Sequence, residues 1–161
     1  MTRVATILTT AFLLAACAPG TSSTTPASHD GHAADPTTDA IKAELTEQFG
    51  MTFASAGPHH ELGTASNGVQ LDLVAVPPSQ VILSVPSDEP GRVEELAAPY
   101  LPYLPRLLNT ERSIGADLLN ESLATWDGTT LLDKQRSAEG VTAHLTSTRD
   151  PAYVVLDVHR D

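Results

Sequence analysis

The chain has 161 residues, 41% hydrophobic and only 4% aromatic, with nine basic against twenty acidic residues and a formal net charge of −11. So negative a chain, with no cluster of Lys or Arg, is repelled by phosphate backbones, which argues against nucleic-acid binding. A single cysteine excludes an intrachain disulfide, so the fold must hold by its hydrophobic core.

In chain order, Arg3 precedes an apolar run from Val4 that closes on Leu14-Ala15-Ala16-Cys17 and holds the only cysteine. A positive start, an apolar stretch of roughly 7–15 residues and small residues before a cut make a secretory signal. The run is shorter than the roughly 20 apolar residues that cross a bilayer. The tetrapeptide resembles a bacterial lipoprotein lipobox. That resemblance implies a signal peptide over residues 1–16, cleavage before Cys17, and a diacylglyceryl thioether on the Cys17 sulfur. The plainer alternative is an ordinary cleavable signal with Cys17 an incidental small residue. Each buried CH₂ of an acyl chain contributes about 0.8 kcal/mol, and stable anchoring takes more than one chain, which a diacylglyceryl group supplies. Because Ala18 rather than Asp follows the cysteine, the resemblance implies the periplasmic face of the outer membrane in a two-membrane cell. In a one-membrane cell it implies the outer face of the plasma membrane.

Residues 17–38 are the lipidated cysteine and a Ser/Thr/Pro/Ala stretch without a large apolar residue, which reads as a flexible tether. A single domain follows over residues 39–161. Ile41, Leu45 and Phe49 share one helical face, Thr38 or Asp39 can cap the helix, and Gly50 can end it. Three strands are expected at about 60–66, 69–76 and 80–85. Asn67-Gly68 joins the first two as a two-residue hairpin, because both residues tolerate positive φ. Pro77-Pro78 interrupts the pattern before the third.

Residues 87–125 read as helical. Ser87-Asp88-Glu89-Pro90 is a helix start, Pro99, Pro102 and Pro105 break it, and Ile114, Leu118, Leu119 and Leu123 line a second helix from about Thr110 to Thr125. Trp126-Asp127-Gly128 makes a turn. Strands are expected at Thr129–Asp133, around Val141–Thr146 and over Ala152–His159. The result is an α+β domain: an antiparallel sheet of about five to six strands with two to three helices on one face, in the order α-βββ-αα-βββ.

Four groups of residues could carry function. His29 and His32, with Asp35 nearby, have a spacing that could give an ion two imidazoles. His59-His60-Glu61 begins like the zinc-protease motif H-E-x-x-H, but Thr64 stands where the second histidine belongs, so these are loop or edge-strand residues. A weak ion site with the tether histidines is the remaining role for His59 and His60. In the last hairpin, keeping Val141, Ala143 and Leu145 on the face of Leu156 and Val158 requires paired numbers to sum to an odd number, and a two-residue turn at Asp150-Pro151 makes that sum 301. His144 then lies opposite Asp157, and Thr142 opposite His159. A carboxylate beside an imidazole could orient a general base, yet no G-x-S-x-G or S-x-x-K nucleophile is present. The bland alternative is a surface cross-strand pair. Finally, Tyr100, Pro102 and Tyr103 lie in Pro99–Pro105. As polyproline II they would form an exposed recognition strip; otherwise Leu101, Leu104, Leu107 and Leu108 plug the core.

The leading functional expectation is a lipid-anchored, non-enzymatic envelope protein that binds a partner protein or a peptidoglycan-associated assembly. The second is an accessory lipoprotein binding metal or a small ligand through its histidines, and the third is a hydrolase using His144 and Asp157. The membrane, through the lipid, and an envelope protein are the expected partners. No cofactor is expected beyond the lipid on Cys17, and a metal ion is not the expected partner.

Overall fold

The computed structural model describes residues 36–161, so the signal segment, Cys17, His29, His32 and nearly all of the 17–38 tether lie outside the described residues. The elements are α1 (Pro36–Phe49), β1 (Thr52–Gly57), β2 (His60–Thr64), β3 (Gln70–Val74), β4 (Gln80–Val85), α2 (Pro90–Ala97), α3 (Tyr103–Leu107), α4 (Ile114–Leu123), β5 (Asp133–Ala138), β6 (Val141–Arg149) and β7 (Ala152–Arg160). The strands form one sheet in the order β1-β2-β3-β4-β7-β6-β5, with every neighbouring pair antiparallel.

The α+β class agrees with expectation, but the described residues hold seven strands rather than five or six, in the order α-ββββ-ααα-βββ. The departures in the sheet are both edge strands, and α3, one short turn in the proline-rich stretch, makes four helices among the described residues where two to three are expected. β1 was not anticipated because Thr-Phe-Ala-Ser-Ala-Gly has no apolar alternation and only Phe53 and Gly57 are half-buried. β5 begins at Asp133, where the expected strand over Thr129–Asp133 ends, and all its residues but Arg136 are exposed. An edge strand is held by hydrogen bonds to one neighbour and needs little apolar pattern of its own. Residues 129 and 130 instead turn around the Asp127 carboxylate, which accepts from the Thr129 amide at 2.9 Å and the Thr130 amide at 3.3 Å.

Directly paired residues share a face of a sheet, so the register sorts the side chains. One face presents Leu71, Leu73, Val81, Leu83, Val85, Val141, Ala143, Leu145, Val154, Leu156 and Val158, none more than 3% exposed. The helices cover that face. α4 brings down Ile114, Leu118, Leu119 and Leu123, as its periodicity predicts, and α2 adds Val93, Leu96 and Ala97. Burying one such aliphatic side chain stabilises by about 1.5–3 kcal/mol. Gly115 lets α4 sit close to β7, since a Cβ there would lie 2.7 Å from Val158 Cγ2.

α1 lies over the β1–β2 end of the same face. Its Lys42 ammonium stands 5.8 Å from the centre of the Phe53 ring and bonds Glu61 at 2.8 Å and Asp39 at 3.1 Å. Burial opposes its charge, but those two carboxylates win and raise the Lys42 pKa above the ordinary value. Phe53 in turn fills the space above Gly63, where a Cβ would be 2.6 Å from the ring.

Three local expectations need correction. α1 starts at Pro36, so Thr38 and Asp39 lie inside the helix instead of capping it; Gly50, at φ +63°, ends it as expected. At Asn67-Gly68 only Gly68 takes positive φ (+84°). Its amide donates to Ala65 O at 3.0 Å, while Asn67 Oδ1 accepts from Val69 N at 3.1 Å, so the loop spans three residues. The proline-rich stretch forms turns and the short α3 with Leu104, Leu107 and Leu108 buried, as in the core-plugging alternative, and not a polyproline strip. Tyr100 and Tyr103 are buried at 2% and 7% exposure, against the Phe49 ring with centroids 5.2 and 6.1 Å away. The Tyr103 hydroxyl donates to Gln48 Oε1 at 3.0 Å. Only Pro102 of the three stays exposed, so Tyr100, Pro102 and Tyr103 offer no joint recognition surface. Apolar rings gain more from the core than from display in water.

Candidate functional site

The opposite face of the sheet carries no helix of the described chain, and its side chains follow from strand parity. One cross-strand row runs Leu62, Asp72, Ile82, Asp157, His144, Gln135, and the next runs His60, Val74, Gln80, His159, Thr142, Ser137. A third runs Thr64, Gln70, Ser84, Val155, Thr146, Asp133. This open face therefore mixes half-buried aliphatic residues with carboxylates, amides and three imidazoles.

No Lys or Arg stands in these rows. The parity that sends Leu145 and Ala143 to the helices sends Lys134 and Arg136 with them, and Arg136 meets Glu121 of α4. Lys42, Arg92, Arg106 and Arg112 lie on helices or in the connections between them, each against a carboxylate. The carboxylates of the open face have imidazoles and neutral donors instead. Asp72 of β3 bonds His60 of β2, and Asp133 Oδ1 lies 2.8 Å from His144 Nε2. Asp157 accepts from Gln80 Nε2 at 2.8 Å on one oxygen and lies 3.3 Å from His159 Nδ1 on the other. Beyond them, Thr142 bridges Ser137 at 2.7 Å and Asp161 at 2.8 Å.

The sequence-derived register of the last hairpin is the observed one: His144 pairs with Asp157 and Thr142 with His159. The hydrogen bonds nonetheless run diagonally. His144 turns to Asp133, two residues from its direct partner Gln135, and Asp157 turns to Gln80 and His159. Diagonal neighbours are within reach of long side chains, so register fixes who is near and rotamers decide who bonds. Asp133 is not legible as this partner in the sequence, because the expected strand over Thr129–Asp133 ends where β5 begins. Gln80 was missed because no sequence signal sets β4 beside β7, a pairing across more than 70 residues. Among the described residues His60, His144 and His159 have carboxylate partners and no hydroxyl or thiol partner.

His59 sits in the β1–β2 turn at φ +63°, its carbonyl accepting from Ala75 N at 2.7 Å. His60 opens β2, which is an interior strand rather than an edge because β1 covers it. Among the described residues no three His, Cys, Asp or Glu side chains come together in a way that could hold a metal ion. None of the described helices is long and apolar enough to cross a membrane. No family model matches the chain, and neither does any curated protein or solved structure.

Proposed function

We propose that the chain is a lipid-anchored envelope protein, held by Cys17, that works as a non-enzymatic accessory module and binds a partner protein on the open face of its sheet. The Leu14-Ala15-Ala16-Cys17 sequence supports the anchor. The observation that carries the binding role is the uncovered face itself, where Leu62, Val74, Ile82, Tyr153 and Val155 stay half-exposed among polar side chains. Apolar area framed by polar groups is the usual anatomy of a non-obligate interface. The absence of Lys and Arg from the rows of this face favours a partner that brings its own cations.

Affinity capture of the anchored protein from its native envelope tests the reading, with wild type compared against Ile82→Glu. Ile82 lies mid-sheet on the open face and is half-buried, so a charge there should remove the partner while leaving the helix-covered core intact. Retention of the same partner by Ile82→Glu would refute the docking face. Labelled palmitate should enter wild type and not Cys17→Ser, and equal labelling of both would refute the anchor.

A further inference from the structure

A cavity of about 190 Å³ lies where the start of α1, the β3–β4 turn, α3 and the end of β7 converge, lined by Thr37, Pro77, Arg106, Leu107, Asn109 and Arg160. We propose that it is a binding site for a small oxyanion, a phosphate or carboxylate group, with Arg160 as its principal ligand. The site is separate from the open face and does not depend on the docking role.

Charge is the first argument. The described residues hold eight Lys and Arg side chains in a strongly acidic protein, and two of them line this one cavity. Among the described residues no Asp or Glu lines it. Arg106 is held bidentately by Glu44 at 2.7 and 2.9 Å, which fixes its fork. Among the described residues Arg160 has no carboxylate partner, and its guanidinium makes one bond, from Nη2 to Pro78 O at 3.3 Å. A guanidinium has five N–H donors in a planar fork suited to two oxygens of one anion, so most of its donors remain for a ligand.

Size and rigidity add to this. The volume accepts a phosphate or carboxylate group but is below the roughly 300 Å³ at which drug-sized ligand sites begin. Asn109 contributes an amide from a residue held at φ +49°, and Ala75, two residues before Pro77, stands at φ +73°. Arg160 is itself placed by the sheet, its backbone amide donating to Ser79 O at 2.9 Å. The backbone that carries these side chains is thus held by the fold, which lowers the entropy cost of binding.

Sodium phosphate and sodium acetate titrated into the full chain at fixed ionic strength test the proposal, read by calorimetry and by the thermal midpoint. A saturable heat and a saturable rise in midpoint are expected. Arg160→Gln should weaken both at least about tenfold, the scale of one charge-assisted bond. Arg149→Gln, a cation outside the cavity, should change neither. Asn109→Asp supplies a second variant, since Asp tolerates positive φ and sets a repelling carboxylate in the wall; it too should lose the response. Vesicles of phosphatidylglycerol against phosphatidylcholine distinguish the sources: preference for the former assigns the anion to a lipid headgroup, and response to phosphate alone assigns a free anion. No saturable response to any of these anions, or the same response in Arg160→Gln and Asn109→Asp as in wild type, overturns the proposal.

Discussion

Replacing Gly128 by alanine separates two costs that usually come together. Gly128 stands at φ +77°, and a Cβ built on it lies 2.7 Å from the backbone oxygen of Asp88, the carbonyl two residues before α2. Gly50 at φ +63° and Gly140 at φ +76° share the left-handed backbone, but a Cβ on either meets nothing within 4 Å. The conformation alone costs alanine about 1–2 kcal/mol, partly offset by about 0.4–1 kcal/mol because alanine narrows the unfolded ensemble. Gly50→Ala and Gly140→Ala should therefore each destabilise by about 0.5–1 kcal/mol. Gly128→Ala adds an overlap that a backbone oxygen cannot avoid by changing rotamer. Overpacking of this kind adds about 1–3 kcal/mol, for a total of about 2–4 kcal/mol. Urea unfolding followed by circular dichroism and by the fluorescence of Trp126, the single tryptophan, reads the difference. With a slope of about 1–3 kcal/mol per molar, the midpoint should fall by about 1 M more for Gly128→Ala than for Gly50→Ala. Equal midpoints for the three alanine variants would refute the reasoning that this carbonyl contact fixes the turn.

Two further outcomes follow from the same packing and charge arguments. Leu156→Ala, in the centre of the helix-covered face at 1% exposure, should cost about 2–5 kcal/mol in urea unfolding. Leu131→Ala, at 60% exposure, should change stability by no more than about 0.5 kcal/mol, and similar losses from the two would contradict the assigned faces. Asp127 is held at a pKa of about 2 against an ordinary 3.8, by the Thr129 side chain first and then by the Thr129 and Thr130 amides. A carboxylate whose folded pKa is lowered stabilises above its unfolded value and loses that contribution as pH falls through the folded one. Asp127→Asn should thus be less stable than wild type above about pH 4, with the gap closing towards pH 2. A gap that persisted at pH 2 would show that the turn does not depend on the ionised carboxylate.

Periodicity made much of the fold legible in advance. Val141, Ala143 and Leu145 against Leu156 and Val158 determined the buried face of the β6–β7 hairpin, because a slip of one residue would turn every aliphatic side chain to water, and the two-residue turn at Asp150-Pro151 then set its register. Ile41, Leu45, Ile114, Leu118, Leu119 and Leu123 were readable as helix stripes for the same reason. β1 and β5 were hidden, since edge strands carry little apolar pattern. The carboxylate partners on the open face were hidden with them: Asp133 belongs to a strand that had been displaced, and His60 finds Asp72 only through the β2–β3 register.

The sequence by itself determined the charge balance, the lone cysteine in its lipobox-like setting, the α+β class and the inward faces of the strands and helices that build the core. These are local or compositional quantities, written in the spacing of apolar residues and the identity of neighbours. Only the tertiary structure decided that β4 lies beside β7, that Tyr100 and Tyr103 are core residues, that the basic side chains gather away from the open face, and that Arg106 and Arg160 border one cavity. Each of these is a meeting of segments far apart in the chain. Such meetings depend on how the strands order themselves in the sheet and on which rotamers packing allows, and no local pattern encodes either.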